Sequence, residues 1–578
     1  MKTVLKYVKP YLFLIAISVV MVLIRVFTEL SLPNLMSDIV NAIVAMVGDT
    51  TGAAQKYIFE VGGKMLLITV VNAVASVGVA FFSSRIATGV SKELRLAMFK
   101  KVNELSSAEL DKFSTASLIT RTTNDVQQIQ GLIIMGLGVM LFAPLMGTGS
   151  IVMAVQKSTS LAWITALAVL VIFGVLGVVM AIAMPKFKAL QSLVDKLNLV
   201  SREQLSGLMV IRAFGNEKYE EKRFDKANID LTYTNRFVQR TVGILMPMVQ
   251  LVMSAVNIAI VWYGAEAIAA YELEIGDMMA FLQYAMHIMI SFVMLSMIFI
   301  VLPRASVSAK RIEEVLNCEI SIKDKSDAKK LENPTGKIEF KNVSFRYSNA
   351  DEDVLSDISF VAEPGQTTAF IGSTGSGKST LINLVPRFYD VTSGSIEIDG
   401  TDIRDVSLES LRDNIGYIPQ KGILFSGTIE SNVKYGNDSE NITEAIRVAQ
   451  AEEFVSAKEE GIYSPISQGA TNVSGGQKQR LSIARALAKK AQIYIFDDSF
   501  SALDFKTDAA LRSALGEYTG GSTVLIVAQR VSTIMNAEQI IVLDEGKMVG
   551  RGSHKELLDS CEQYREICES QLSKEELA

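Results

Sequence analysis

The sequence contains few cysteines and even fewer histidines, and both shortages limit the chemistry that it can support. Its 578 residues include Cys318, Cys561 and Cys568. Thiols scattered in this way form neither a metal-binding cluster nor a disulfide framework, and they favour a reducing compartment for the segments that carry them. The two histidines are His287 and His554, so few histidines are available to any catalytic site.

Neither acidic nor basic residues are in large excess. The net charge is −6, which gives no indication of a nucleic-acid partner. Apolar residues, in contrast, make up 49% of the chain, and the mean hydropathy of +0.29 is high for a wholly soluble protein. The length is sufficient for one membrane unit and one soluble unit.

The apolar residues are concentrated in the first half. Six runs lie near residues 10–33, 59–82, 130–155, 160–184, 241–269 and 276–303. Each run is close to or above the roughly 20 residues that a helix needs to cross a bilayer. The first run is too long for a cleavable signal and lacks a small-residue cleavage site. We therefore expect an all-α membrane domain over residues 1–303, with six helices in the lipid bilayer.

Basic residues predict the orientation of this domain. They are abundant at the N-terminus, in the long connections near 83–129 and 185–240, and after the sixth run, whereas the other connections are poor in them. The positive-inside rule then places both termini and both long connections in the cytoplasm, as expected for a multi-pass protein of a bacterial plasma membrane. Segments 113–125 and 203–214 are candidate contacts for a soluble domain, the alternative being solvated loops.

Two features of the spans bear on a substrate. Arg25 and Glu29 are four residues apart on the first span, so they share a helix face and can pair. Such residues face a bundle interior or a watery cavity, or form a structural pair near the interface. Methionines are frequent in the last two spans, which fits a promiscuous apolar pocket or ordinary helix packing.

The second half begins with a charged linker over residues 304–336, followed by an α/β domain with a β-rich start over 337–578. Its most informative stretch matches G-x-x-x-x-G-K-[ST] between a β-prone run and a helix-forming run, which predicts a phosphate-binding P-loop. The stretch consists of Gly372, Ser373, Thr374, Gly375, Ser376, Gly377, Lys378, Ser379 and Thr380. Lys378 can reach the outer phosphates of a nucleotide, and Ser379 can ligate Mg²⁺.

Two further stretches complete a nucleotide site. The apolar run Ile493–Phe496 ends in Asp497, which we expect beside the P-loop as a second Mg²⁺ ligand. The segment Val473–Gln477 opens a predicted helix with a serine and two glycines, which creates a second anion site. Two phosphate sites in one domain favour a dimer in which the nucleotide lies between two chains.

Over its full length the chain resembles the ATP-binding cassette exporters that fuse six spans to one nucleotide-binding domain. The P-loop, the VSGGQ segment at 473–477 and the Asp497 strand occur in the family order. The resemblance implies ATP and Mg²⁺ as cofactors, Tyr347 as an adenine-stacking residue, and Gln420 as a residue that touches Mg²⁺. It also implies that Ser474, Gly475, Gly476 and Gln477 contact the nucleotide of a partner chain, and that Asp504 closes the D-loop Ser501–Asp504.

Two positions depart from the family pattern. Asp498 stands where active members carry the general-base glutamate, and Gln529 stands where they carry the switch histidine. Together the changes resemble the degenerate-site subunit of a heterodimer that exports hydrophobic or amphipathic compounds, including drugs. Two alternatives remain: a homodimeric exporter with two slow sites, and a regulatory membrane protein that uses nucleotide as a switch. A third departure, SPISQGAT at 464–471, lacks the glutamate that exporters often have there.

Overall fold

The computed structural model describes residues 2–45, 53–347, 350–436 and 442–572, and the chain divides into two compact units. The first unit comprises Met1–Lys101 and Ala116–Asn317, and the second comprises Val102–Thr115 and Cys318–Ala578.

The described residues before residue 318 are mostly helical. The helices are α1 (Lys2–Val8), α2 (Leu12–Ala45), α3 (Ala53–Glu104), α4 (Ser107–Lys112), α5 (Thr115–Thr120), α6 (Val126–Met135), α7 (Phe142–Lys157), α8 (Ala162–Ser206), α9 (Leu208–Phe214), α10 (Glu217–Gly243), α11 (Leu245–Ala269) and α12 (Ile275–Leu316). Two π-helical turns join α5, α6 and α7 into one continuous segment.

Six helical segments of the described residues are long and apolar enough to cross a membrane, as the sequence predicted. They are Thr3–Ala45, Gln55–Glu104, Thr115–Lys157, Ala162–Ser206, Glu217–Ala269 and Ile275–Leu316. Each is longer than its apolar run, because the helices continue into polar sequence. The last helix reaches Leu316, so residues 304–316 of the predicted linker are helical.

The predicted contact segment 113–125 spans the end of one helical element and the start of the next. Helix α3 ends at Glu104, and α4 begins after Ser106, which forms a capping box with Glu109. Residues 115–125 belong to the next long helical segment. Within the second unit, Tyr389 Oη donates to Asp111 Oδ2 at 3.2 Å, so α4, which precedes the predicted segment, contacts the α/β domain. The second segment does contain a separate short helix, α9.

Polar contacts join helices of the first unit at defined points. The buried Tyr284 of α12 donates its hydroxyl to the Leu30 carbonyl of α2 at 2.8 Å. Arg25 and Glu29 do pair, at 3.7 Å, and the Arg25 guanidinium lies 4.1 Å from the centre of the Phe142 ring. The sequence alone suggested the pair but not the aromatic contact.

One ionic contact joins three helices of this unit. Asp277 of α12 accepts from Lys157 Nζ of α7 at 2.7 Å and from Ser37 Oγ of α2 at 2.7 Å. The charged side chains are 21% and 24% exposed, so water screens the pair less than it would a surface pair.

Among its described residues from 318 onward, the second unit contains twelve strands and ten α-helices. The strands are β1 (Ile338–Phe345), β2 (Leu355–Ala362), β3 (Thr367–Gly372), β4 (Ser393–Ile398), β5 (Thr401–Asp402), β6 (Ile415–Ile418), β7 (Gly427–Thr428), β8 (Pro465–Ile466), β9 (Ile493–Asp497), β10 (Thr523–Val527), β11 (Gln539–Asp544) and β12 (Lys547–Gly552). The helices are α13 (Lys378–Leu384), α14 (Leu408–Asp413), α15 (Ile429–Val433), α16 (Ile442–Val448), α17 (Glu452–Ser456), α18 (Gly475–Ala488), α19 (Phe505–Tyr518), α20 (Val531–Ile534), α21 (His554–Ser560) and α22 (Glu562–Gln571).

The strands form a central sheet in the order β12-β11-β3-β10-β9-β6, in which only β12 is antiparallel. An antiparallel sheet in the order β2-β1-β4-β5 confirms the β-rich start. Along β9, Tyr494 and Phe496 pack into one apolar cluster, while Ile493 and Ile495 pack into another. Both faces of the central sheet are therefore covered, which explains why its strands are continuously apolar.

The three-helix contact at Asp277 should contribute to the stability of the first unit. We expect Asp277→Ala to lower the melting temperature by several degrees, because Lys157 loses its partner at a cost of about 1–3 kcal/mol. Thermal unfolding of the detergent-purified protein measures the change. The matched control is Lys64→Met, which breaks the more exposed Glu60–Lys64 pair and should have little effect. Equal melting temperatures for the Asp277→Ala and Lys64→Met proteins would contradict this expectation.

Candidate nucleotide site

The P-loop connects the carboxyl end of β3 to the start of α13. Gly372 has φ +153°, and a Cβ there would lie 1.9 Å from the Leu543 carbonyl oxygen, so a side chain does not fit. Gly377 precedes α13 with φ +93°, a conformation that other residues rarely adopt. The loop can therefore turn its N–H groups toward one point in front of the helix, where an anion is favoured.

Lys378 lies across this loop. Its ammonium donates to the carbonyl oxygens of Gly372 at 2.9 Å and Ser373 at 2.7 Å. Burial lowers the pKa of Lys378, and the carboxylates of Asp498 and Asp497 oppose this shift. Because a phosphate is a stronger partner for an ammonium than a neutral carbonyl, a bound nucleotide can take over these contacts.

A hydroxyl and a carboxylate meet beside the loop. Ser379 Oγ donates to Asp497 Oδ1 at 2.7 Å. Burial raises the pKa of Asp497, and the neighbouring Asp498 adds to the rise, while the hydrogen bond from Ser379 opposes it. These oxygen donors fit Mg²⁺, which typically takes one or two carboxylates together with substrate phosphates. The described residues contain no cluster of three or more acidic, histidine or cysteine side chains that could hold a metal ion alone.

The next residue, Asp498, is held by two amides. Its Oδ2 accepts from Gln529 Nε2 at 2.7 Å and from Gln420 Nε2 at 3.2 Å. We call this arrangement the amide clamp. Burial raises the pKa of Asp498, with the amide hydrogen bonds acting against the rise. The backbone of Asp498 has φ +46°, a left-handed conformation that is uncommon outside glycine and is often found at functional sites.

A cavity of about 610 Å³ opens in front of the loop. The predicted site residues that line it are Gly372, Ser373, Thr374, Gly375, Gly377, Lys378, Ser379, Thr380, Gln420, Asp498 and Gln529. Ser376 and Asp497 are buried behind this surface. Tyr347 is half-buried next to it, with its hydroxyl 3.0 Å from Thr380 Oγ1.

The structure does not bring the VSGGQ segment or Asp504 into this cavity. Ser474 caps α18, with Ser474 Oγ accepting from the Gln477 N–H at 3.3 Å. Asp504 caps α19 by accepting from the Thr507 N–H at 2.9 Å. The hydrogen bonds from Thr507 lower the pKa of Asp504. Both capping residues therefore have a structural task within their own chain.

Some residues that line the cavity belong to no motif that the sequence shows. Asp544 at the end of β11 accepts from Ser373 Oγ at 3.3 Å. Helix α22 contributes Gln563, Glu566, Ile567, Ser570 and Gln571 to the cavity wall. These residues belong to an ordinary amphipathic helix far along the chain, so tertiary packing alone places them at the site.

Fold and site together define a membrane protein with a nucleotide-binding domain, and comparison with known proteins identifies its family. Residues 15–312 match the ABC transporter transmembrane region, and residues 355–501 match the ABC transporter domain. An uncharacterized ABC transporter ATP-binding protein of Mycobacterium tuberculosis is 38% identical, covering 98% of this chain and 97% of its own. An ATP-dependent lipid A-core flippase of Pseudomonas aeruginosa is 34% identical, covering 96% and 93%.

A solved structure agrees with the sequence relatives. A bacterial Atm1-family ABC exporter with ATP bound matches with a TM-score of 0.78 and 25% identity, covering 97% of this chain and 98% of that one. The chain belongs to the ABC transporter family. It has the half-transporter architecture of the exporters: six apolar helices fused to one nucleotide-binding domain of an ATP-hydrolysing transporter.

Removal of the Lys378 ammonium should weaken nucleotide binding. We expect Lys378→Ala to raise the Kd for Mg-ATP about tenfold to a hundredfold, as for the loss of charge-assisted hydrogen bonds of about 1.5–3 kcal/mol. Binding of a fluorescent ATP analogue to the purified protein measures the change. Lys421→Ala, an exposed lysine next to Gln420, is the control. Unchanged affinity in Lys378→Ala would show that the loop does not hold the phosphates.

Proposed function

We propose that the chain is the degenerate-site subunit of a heterodimeric exporter that uses ATP to move hydrophobic or amphipathic compounds out across the plasma membrane. The observation that carries this proposal is the amide clamp on Asp498. A general base must reach the attacking water, whereas here one carboxylate oxygen, Oδ2, is engaged by Gln529 at 2.7 Å and Gln420 at 3.2 Å, which restricts how the short side chain can be directed.

Side-chain length and charge support the same conclusion. The side chain of Asp498 is one methylene shorter than that of glutamate, and a misplacement of about 1 Å can cost on the order of a hundredfold in rate. Gln529 donates hydrogen bonds but cannot take a positive charge, unlike histidine. In this proposal the site retains ATP and Mg²⁺ through the P-loop, Ser379, Gln420 and Asp497, with Tyr347 beside the adenine, and hydrolyses slowly.

The need for a second chain is supported by two surfaces. The VSGGQ segment, whose Ser474 and Gly476 would contact a γ-phosphate, does not line the P-loop cavity of its own chain. It would instead complete the competent site of the partner, together with Asp504. Helix α9 exposes large apolar side chains, including Met209 at 79% and Phe214 at 77%, as expected of a surface that another chain covers.

The transport cycle follows from these assignments. ATP bound between the two nucleotide-binding domains draws them together, and contact segments such as α4 and α9 transmit the closure to the spans. Hydrolysis at the partner's site then resets the pair. Both termini are cytoplasmic in this proposal, as the distribution of basic residues favours. The match to a lipid flippase is consistent with an amphipathic substrate.

Restoration of the missing catalytic groups should increase hydrolysis. We expect the double change Asp498→Glu and Gln529→His to raise the ATPase rate of this chain's site by about tenfold or more, because general-base catalysis contributes about 10²–10⁴-fold. Steady-state phosphate release by the purified chain measures it, with each single change beside the double. Brisk hydrolysis by the unchanged chain alone would refute the degenerate-site assignment and favour an active homodimer.

The proposal also predicts an asymmetric response in the assembled pair. A Cβ at Gly475 would meet no atom within 4 Å in its own chain, and an acidic residue favours the first turn of a helix. Gly475→Asp should therefore fold normally, yet lower the ATPase rate of the pair about tenfold or more by opposing the partner's γ-phosphate.

Asp498→Asn is the matched change at the slow site, and it should alter the ATPase rate of the pair less than about twofold, because little turnover depends on that carboxylate. The assay co-purifies this chain with a half-transporter that has glutamate and histidine at the matching positions. Equal losses from Gly475→Asp and Asp498→Asn would indicate two equivalent sites.

A further inference from the structure

The C-terminal helix α22 contacts the segment that follows β10, where Gln529 stands. Gln571 Nε2 donates to the Gln529 carbonyl oxygen at 2.8 Å, and Gln571 Oε1 accepts from the Val531 N–H at 2.9 Å. One side-chain amide thus binds the backbone on both sides of Arg530. We call residues 528–531 the switch segment.

Helix α22 is well placed to hold this amide still. Tyr564 and Cys568 are buried in the apolar cluster on one face of the central sheet. The Tyr564 hydroxyl lies 2.6 Å from His554 Nδ1 of α21, and Arg565 Nε donates to the Leu558 carbonyl at 2.8 Å. Gln571 is the last residue of this helix and lies one turn beyond the buried Cys568, so its position follows that of the domain core.

The contacts continue from the switch segment into the nucleotide cavity. Gln529 has its backbone carbonyl bound to Gln571 and its side chain bound to Asp498 Oδ2 at 2.7 Å. Gln571 itself lines the cavity, as do Glu566 and Ser570 of the same helix. A shift of the segment by 1 Å would be enough to break the hydrogen bond to Asp498.

We propose that Gln571 is a positioning residue of the nucleotide site, which fixes the switch segment so that the side chain at 529 stays directed at residue 498. The hydrogen bonds go to backbone atoms, so Gln571 would position whichever side chain stands at 529. The inference deepens the proposed function: in the unchanged chain it keeps the amide clamp closed and the nucleotide retained. Nothing in the P-loop, the VSGGQ segment or the Asp497 strand indicates this role.

Two substitutions separate the two hydrogen bonds. Gln571→Ala removes both, whereas Gln571→Glu keeps an acceptor for the Val531 N–H and loses the donor to the Gln529 carbonyl. Glu569→Ala, at an exposed residue of the same helix outside the cavity lining, is the control. Glu569→Ala should leave the melting temperature unchanged within about a degree, whereas the Gln571 variants should lower it by no more than a few degrees, as for the loss of one or two neutral hydrogen bonds.

The first measurement is the release rate of labelled ATP, in the presence of Mg²⁺, from the full-length chain with Asp498 and Gln529 unchanged. We expect Gln571→Ala to accelerate release about threefold to tenfold, the range for the loss of one or two neutral hydrogen bonds. Gln571→Glu should accelerate release at least as much, because its carboxylate faces the Gln529 carbonyl and adds negative charge to the cavity wall, and Glu569→Ala should have no effect. A release rate within about twofold of the unchanged chain in Gln571→Ala would overturn the proposal.

The second measurement uses the chain that carries Asp498→Glu and Gln529→His. There we expect Gln571→Ala to lower kcat about threefold to tenfold, with KM raised by no more than the change in release rate, because placement of residue 529 affects the chemical step as well as nucleotide retention. If the double change fails to raise activity, the degenerate-site proposal fails, while the release rate still tests Gln571. If the double change raises activity, but Gln571→Ala alters neither the ATP release rate nor kcat, only the positioning role of Gln571 is refuted.

Discussion

The parallel pairing of β3, β10 and β9 is the constraint on which the nucleotide site depends. Val527 of β10 lies opposite Phe370 of β3 on one side and Asp497 of β9 on the other. Because parallel strands end at the same edge, the segments that follow them meet there. The register is strongly specified, since apolar side chains are buried on both faces and a slip of one residue would exchange the faces. The P-loop, both aspartates and the switch segment are brought together by this one arrangement.

Because the strand ends meet at one edge, several polar side chains lie close together, and the site is sensitive to single substitutions among them. Asp497 and Asp498 are buried side by side, and burial raises the pKa of each. Ser379, Lys378 and the two glutamines are the groups that compensate them. In such a setting a glutamine differs from a histidine in more than charge: it supplies a directed amide donor, and Asp498 is within reach of it. The departures at 498 and 529 therefore act as one structural unit.

Sequence reasoning succeeded where the signal is local. The P-loop is contiguous, and glycine freedom and lysine charge are properties of the residues themselves. The six spans could be predicted because a bilayer requires apolar helices of a certain length. It did not find the helix break at Ser106–Glu109, because that break depends on a capping box whose neighbours are also helix formers. The contribution of helix α22 to the site was not predicted, because an amphipathic pattern does not indicate which cavity a helix will line.

The amino-acid sequence by itself determined the class of the protein: the membrane half, the phosphate loop, the order of the motifs and the two unusual residues at 498 and 529. Tertiary structure decided what those residues contact. The amide clamp joins residues 420, 498 and 529, and the bridge from Gln571 reaches the switch segment across 42 positions of the chain. The physical reason is that a hydrogen bond depends on atomic separation and direction, which a folded sheet and its packed helices set, whereas sequence spacing sets them only within a loop or a helix turn.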